Sequence, residues 1–153
     1  MSKNASVLDQ PLGGQPYDLP ADVQRDLFGI DLLFTDDLQV GASGDYVEVD
    51  GDESLRRSIM RRLTTRPGEY KPFPEYGVGI RDFVKKKATR ANLHELEHRI
   101  VQNLSQDRRI ENVNSVKVTN ETIGTTPIVR VVVNVRAVGR DVRFVPFDFS
   151  SEV

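Results

Sequence analysis

The sequence contains no cysteine, no tryptophan and only two histidines, and nowhere do about 18 apolar residues follow one another. Without cysteine the chain has no disulfide, no thiolate ligand for zinc and no cysteine nucleophile. Residues 1–10 lack the basic and apolar stretches of a secretion signal. We therefore expect a protein that is made in the cytoplasm, carries no membrane span and needs no oxidising compartment.

Charge is unevenly distributed, although the 153 residues sum to a net charge of −2. Residues 1–55 carry 12 acidic and two basic side chains, residues 56–90 carry three acidic and 11 basic ones, and residues 91–153 carry eight of each. This pattern argues against a uniformly basic nucleic-acid-binding protein. It predicts partners that meet separate acidic and basic faces.

The chain divides into an arm and a single domain. Residues 1–25 mix glycine and proline with polar side chains and show no periodicity, which predicts an extended or disordered arm. Residues 26–153 place helical patterns first and strand patterns last. This order predicts an α+β domain in which a small helical layer packs on a C-terminal antiparallel β-sheet.

Three helices are predicted in the first part of the domain. The first has Asp52 as its N-cap and ends at Pro67-Gly68, with apolar residues at every fourth position on one face. Its other face carries Arg56, Arg57, Arg61 and Arg62. A short helix is predicted over 80–87, and a longer one from Ala91 to the run 107–110. The longer helix has one apolar stripe and a polar side with His94, Glu95, Glu97, His98 and Arg99.

The remainder of the domain shows strand patterns. Residues 120–127 are interpreted as a turn-rich connection, after which residues 128–136 alternate cleanly. This alternation predicts a buried face of Val129, Val131, Val133 and Val135. The last strand, 142–149, has large apolar side chains that strict alternation would place on both faces, and Pro146 confines it to an edge. It either completes the domain's own sheet or offers its edge to a partner strand.

Enzyme sites find little support. The run His94-Glu95-Leu96-Glu97-His98 has the spacing of a zinc-protease motif, but its histidines lie opposite the apolar stripe and the chain has no third histidine. Carboxylates near the loop 66–80 offer pairs for glycoside hydrolysis, as most acidic segments do. These are Glu69, Glu75 and Asp82. The basic segment 56–90 is open to three interpretations, a solvated face, an acidic protein partner or nucleic acid.

Three runs of the sequence carry a resemblance to a known family. They are Gly51-Asp-Glu-Ser-Leu-Arg-Arg-Ser-Ile59, Arg62-Leu-Thr-Thr-Arg-Pro-Gly-Glu69 and Pro74-Glu-Tyr-Gly77. Over about residues 30–149 the chain resembles the W-like, tail-lysozyme-like wedge proteins of contractile phage baseplates, which include sheath initiators and have relatives in type VI secretion and extracellular injection systems. The most specific part is a loop with Pro67, Gly68, Glu69, Pro74 and Gly77.

The resemblance implies a structural protein of a virion or injection-particle baseplate, with no enzymatic activity and no cofactor. It implies several copies around a symmetric particle assembled in the bacterial cytoplasm, in contact with baseplate wedge proteins and sheath protein. The tail tube or hub is a further candidate partner, and neither nucleic acid nor membrane is expected. A free regulatory adaptor of the same fold is the alternative, and it would use the basic face of the first helix to hold another protein.

The resemblance also assigns residues. The family's Glu-Pro-Arg signature falls on Asp107-Arg108-Arg109, with the acid shortened, the proline lost and the arginine kept. These three residues are therefore expected to anchor the chain to the wedge core. The terminal strand is expected to pair with the first sheath ring through Val142, Arg143, Phe144, Val145, Phe147 and Phe149.

Overall fold

The computed structural model describes residues 29–33, 37–137, 140–144 and 146–150, so the predicted arm at 1–25 lies outside it. The elements are β1 (Asp31–Leu32), β2 (Glu48–Val49), α1 (Gly51–Thr64), α2 (Ile80–Val84), α3 (Arg90–Leu104), β3 (Ile110–Ile123), β4 (Thr126–Ala137), β5 (Arg140–Arg143) and β6 (Phe147–Ser150). The α+β architecture predicted from the sequence is confirmed. Among the described helices, none has the length and apolar character that a membrane span needs.

Strand β4 lies at the centre of a four-stranded antiparallel sheet. Strand β3 pairs along one side of it, while β5 and β6 pair one after the other along the opposite side. We call β5 and β6 together the return strand. Strands β1 and β2 form a separate two-stranded sheet. The larger sheet therefore has two outer edges, one on β3 and one on the return strand.

The core lies between one face of this sheet and the helices. Val131, Val133 and Val135 are fully buried and Val129 is nearly so, which confirms the predicted buried face of β4. The helices face them with apolar residues spaced by three or four positions, as an amphipathic helix requires. These are Leu55, Ile59 and Leu63 on α1, Ile80 and Phe83 on α2, and Leu96, Ile100 and Leu104 on α3.

The prediction of a turn-rich connection at 120–127 is wrong. Strand β3 continues to Ile123, β4 begins at Thr126, and only Gly124 and Thr125 form the hairpin loop. Gly124 has φ +63°, a conformation that glycine adopts at little cost in a tight hairpin. The polar residues Asn120 and Thr122 suggested a turn, but they are exposed residues within a strand. This end of the hairpin extends into solvent, where a strand can contain polar residues on both faces.

Two helix boundaries also differ from those expected. The N-cap of α1 is Asp50 rather than Asp52, and its side chain makes no capping hydrogen bond. Asp52 lies inside the first turn, where a negative charge still interacts favourably with the helix dipole. Helix α2 ends at Val84 rather than Lys87, so the lysines at 85–87 belong to the connection to α3.

Candidate functional site

A buried polar cluster joins α1 to the turn between α3 and β3. We call it the Asp107 cluster, and it consists of Ser58, Arg62, Asp107 and Arg109. Arg109 donates from Nε to Oδ1 of Asp107 at 2.9 Å and from Nη2 to Oδ2 at 2.7 Å, and its backbone N–H reaches the same Oδ1 at 3.1 Å. Ser58 lies within hydrogen-bonding reach of both residues, and Arg62 Nε lies 3.7 Å from Asp107 Oδ2.

The electrostatics of this cluster favour the ionised carboxylate. Burial by itself would raise the pKa of Asp107, but the hydrogen bonds from Arg109, with the charges of Arg109 and Arg62, hold it below its usual value. The hydrogen bond to Asp107 in turn raises the pKa of Arg109. The cluster therefore keeps its charges at neutral pH and fixes the α3–β3 turn against α1.

The structure separates the three residues of the predicted wedge anchor by their exposure. Asp107 is only 6% exposed and its carboxylate is taken by two arginines. Arg108 is exposed, and Arg109 keeps a quarter of its side chain at the surface. In this structure only Arg108 and the outer part of Arg109 are accessible to a partner, while Asp107 holds Arg109 in place.

The loop of residues 65–79 returns to the C-terminal end of α1, where helix carbonyl groups lack partners within the helix. Val78 N–H donates to Arg62 O at 2.8 Å, and Gly79 N–H donates to Thr65 O at the same distance. Gly77 N–H donates to Asn103 Oδ1 of α3 at 2.8 Å. The loop is therefore ordered and bonded to both long helices.

The family residues of this loop shape its turns. Gly68 N–H donates to Pro74 O at 2.7 Å, and Glu69 accepts the backbone N–H of Arg66 at 2.9 Å. Pro67 is exposed. Gly77 has φ +105°, and a Cβ atom there would lie 2.3 Å from Thr65 O, so only glycine fits.

Aromatic residues of the same loop cluster at the surface. The Tyr70 ring lies 5.8 Å from the rings of both Phe73 and Tyr76, and Tyr70 and Phe73 are about half exposed. The guanidinium of Arg62 lies 4.6 Å above the Tyr76 ring and so connects this surface to the Asp107 cluster.

The basic face predicted for α1 is not free. Arg61 forms an ion pair with Asp31 of β1, and Arg57 pairs with Glu53 at 3.1 Å. Arg56 lies over the Phe147 ring at 5.0 Å, and Arg62 is buried in the Asp107 cluster. Intrachain contacts use these cations, but 55% of the Arg61 side chain is exposed, and the interpretation of this face as a surface for an acidic partner stays a prediction.

Strict alternation predicted that the apolar residues of the last strand lie on both faces, but the described ones lie on one face. Val142, Phe144, Phe147 and Phe149 all lie on the buried face, each at most 7% exposed. The register shows why. Arg143 lies opposite Asn134 and Phe147 opposite Val131, so four steps on the return strand match three on β4. This extra residue beside Pro146 shifts the alternation by one position. Val145 lies outside the described residues.

The return strand thus completes the domain's own sheet, and no described strand pairs along its outer edge. Phe144 N–H donates to Val133 O at 3.0 Å, so the backbone of Phe144 faces β4. In an antiparallel ladder alternate residues face opposite sides, and Arg143 therefore turns its N–H and C=O outward. The same alternation along β6 turns those of Asp148 outward.

The other candidate sites of the sequence are dispersed. Glu75 is exposed, Glu69 accepts a loop amide and Asp82 pairs with Arg66. Within the part of the chain that the structure describes, no group of three potential ligands could hold a metal. His94 is exposed, with Nδ1 3.5 Å from Glu97 Oε2.

Sequence reasoning missed three residues that build the site. Ser58 is a buried polar residue on α1. In the sequence, its position next to the apolar Ile59 was the one sign of its burial. The backbone carbonyl oxygen of Asn103 accepts a hydrogen bond from Arg62 Nη1 at 3.1 Å, while its side-chain oxygen accepts the Gly77 N–H described above. Glu97 was assigned to the solvent side of α3, but its Oε1 accepts the backbone N–H of Val118 at 3.0 Å.

Comparison with known proteins places these features in context. The sequence profile of the family described as contractile injection system sheath initiator matches residues 28–136. No curated protein matches the chain. The fold is similar to the crystal structure of a candidate tail lysozyme from Geobacter sulfurreducens, with a TM-score of 0.53 and 23% identity over 67% of this chain and 92% of that one.

The fold is also similar to a chain in the cryo-electron microscopy structure of the anti-feeding prophage baseplate, solved with six-fold symmetry. The TM-score is 0.50 and the identity 17%, over 81% of this chain and 88% of that one. Both likenesses to solved structures concern the fold.

Proposed function

The chain belongs to the sheath-initiator family of contractile injection systems, and from this premise we propose that it joins the wedge core of a baseplate to the first sheath ring and templates sheath assembly by strand exchange. The outer edge of the return strand, along which no described strand pairs, is the observation that carries the proposal. Its described apolar side chains lie in the core, which holds the outward backbone groups of Arg143 and Asp148 in an extended row.

Backbone pairing gives such a junction mechanical strength without requiring a deep pocket. A strand from a sheath subunit would add beside β5 and β6, where Arg143 and Asp148 turn their N–H and C=O groups outward. The earlier expectation that Phe144 and Phe147 would pack against the sheath changes, because both are buried within this domain. Recognition would rest on main-chain bonds and on the exposed side chains along the edge.

We assign attachment to the wedge core to a different part of the chain, the turn between α3 and β3. Arg108 is exposed there, and Arg109 is oriented by its two-point pair with Asp107. The exposed guanidinium of Arg108 and the outer part of Arg109 would meet carboxylate groups of a partner helix or loop. On this proposal several copies surround a symmetric particle, in the baseplate of a virion or injection machine assembled in the bacterial cytoplasm.

Arg143→Pro tests the strand-exchange step. Proline at this edge position removes an outward N–H and leaves the pairing with β4 intact. Particles reconstituted from this chain with the wedge and sheath proteins of the same system should then carry baseplates without extended sheath. Arg143→Ala is the matched control, since it removes the side chain and keeps the N–H. Normal sheath length with Arg143→Pro would refute the proposal.

The alternative function, a free regulatory adaptor, rested on a basic face of α1. Arg56, Arg57, Arg61 and Arg62 all make contacts within the chain, so that face offers such a partner fewer uncompensated charges than the sequence suggests. An enzymatic role is not part of the proposal, because the carboxylates Glu69, Glu75 and Asp82 lie exposed, and none of them is buried as acid catalysis by a carboxyl group requires. Peptidoglycan cleavage by the purified chain would contradict this.

A further inference from the structure

The two outer edges of the four-stranded sheet are chemically different. On β3 the backbone of Val118 faces away from β4, and its N–H donates to Oε1 of Glu97 at 3.0 Å. Glu97 lies on α3 next to the buried Leu96 and one turn before the buried Ile100. The helix that packs on the core therefore extends a carboxylate to the edge of the sheet.

This contact opposes strand addition at β3 in two ways. A new strand needs the outward N–H groups at every second residue, and the one at the middle of the long strand is already used. The incoming strand would also bring a carbonyl oxygen towards a carboxylate, which is repulsive. The other carboxylate oxygen of Glu97 lies 3.5 Å from Nδ1 of the exposed His94. Covering an edge with a charge is a common way to prevent unwanted pairing.

The edge of the return strand is arranged differently. Asp148, its outward-facing residue on β6, directs its carboxylate to Arg130 of β4, with two hydrogen bonds of 2.8 and 2.9 Å. That pair lies on the solvent face of the sheet and draws the acid away from the edge. Arg143, the corresponding residue on β5, is exposed. The two described acids of this edge, Asp148 and Asp141, therefore bond to side chains of β4 and β3 rather than to an N–H of the edge; Asp141 accepts from Asn114 at 2.9 Å.

We propose that Glu97 closes the β3 edge, so that a partner strand is accepted at the return strand alone. The inference rests on the proposed function. It adds which side of the sheet the sheath strand joins, because a domain with one receptive edge can template a sheath on that side only. A glutamate in a motif that suggested zinc thus acts as a specificity-determining residue for strand addition.

Amide hydrogen exchange of the isolated full chain tests the closure directly. The Val118 amide should exchange at least about tenfold faster in Glu97→Ala than in the wild type, because it loses a hydrogen bond to a charged acceptor. Glu97→Gln keeps an acceptor oxygen and should retain most of the protection. Glu95→Ala removes a nearby carboxylate that pairs with Arg99 at 2.8 Å, and should leave Val118 unchanged. Equal exchange in Glu97→Ala and the wild type would overturn the closure.

Photo-crosslinking in the reconstituted particle tests the choice of edge. Benzoylphenylalanine is introduced at position 143, on the return-strand edge, or at position 120, on the β3 edge. We expect crosslinks to the sheath protein from position 143 alone in the otherwise unchanged chain, and new crosslinks from position 120 when Glu97 is replaced by alanine.

The outcomes separate this inference from the function on which it rests. Crosslinks from both positions with Glu97 intact would overturn edge selection and leave strand exchange standing. The absence of new crosslinks from position 120 in Glu97→Ala would show that Glu97 does not decide the edge. The absence of sheath crosslinks from either position would overturn strand exchange, and edge selection with it, even if the Val118 amide remained protected.

Discussion

Asp107 and Arg109, two residues apart in the sequence, form a two-point ion pair with hydrogen bonds of 2.9 and 2.7 Å inside the α3–β3 turn. The resemblance predicts the family's Glu-Pro-Arg signature at this position, and the pair shows what Arg109 does within the monomer. It fixes the turn from which β3 begins. A turn held in this way presents Arg108 at a defined point on the surface.

Asp107→Asn should destabilise the fold. The variant leaves Arg62 and Arg109 partly buried without their counter-charge, and the free energy of unfolding should fall by about 3 kcal/mol. Urea denaturation at pH 7 measures the change. Asp82→Asn removes an exposed partner of Arg66 and should change stability by no more than about 0.5 kcal/mol. Similar losses in the two variants would contradict the role given to the Asp107 cluster.

The same pair should make stability depend on pH. The pKa of Asp107 is lower in the folded chain than the ordinary value of 3.8. The unfolded chain therefore takes up a proton first as the pH falls, and the stabilisation, complete at neutral pH, is lost as the pH falls through the folded-state pKa. Denaturation between pH 6 and 3 should show a steeper loss in the wild type than in Asp107→Asn. Parallel curves would contradict the prediction.

Gly77→Ala should disrupt the loop that packs against α1. The positive φ and the contact with Thr65 O leave no room for a Cβ atom, so the cost should exceed the roughly 1–2 kcal/mol of left-handed strain alone. Gly68→Ala is the matched comparison, since Gly68 has φ +81° but nothing within 4 Å of the added atom. Thermal unfolding compares the two variants. An equal effect at both positions would contradict the steric argument.

Phe147→Ala should cost about 3–5 kcal/mol of unfolding free energy, because Phe147 is 1% exposed and its loss leaves a cavity under the return strand. Ile123→Ala, at the exposed hairpin end, should be nearly neutral. Chemical denaturation measures both.

Deletion of residues 142–153 should unfold or strongly destabilise the chain, because it removes buried side chains of the return strand from the core. A terminal strand that did not pack in the core could be deleted without this loss. A deletion variant of unchanged stability would contradict the internal role of this strand.

The sequence predicted those features that depend on local periodicity. Repeats of three and four identified α1 and α3, and the alternation of Val129, Val131, Val133 and Val135 identified the buried face of β4. It failed where tertiary surroundings override a local signal. Asn120 and Thr122 suggested a turn but lie in a hairpin that extends into solvent. The single added residue beside Pro146 moved two phenylalanines to the other face.

By itself, then, the sequence determined the α+β class, the helical stripes and the residues that carry the family resemblance, because these follow from side-chain spacing and from motifs. Only the tertiary structure decided which charges are free. It paired Arg61 with Asp31, enclosed Asp107 between two arginines and brought Glu97 to the amide of Val118. These contacts join residues from 2 to 45 positions apart, and packing rather than sequence spacing sets such distances.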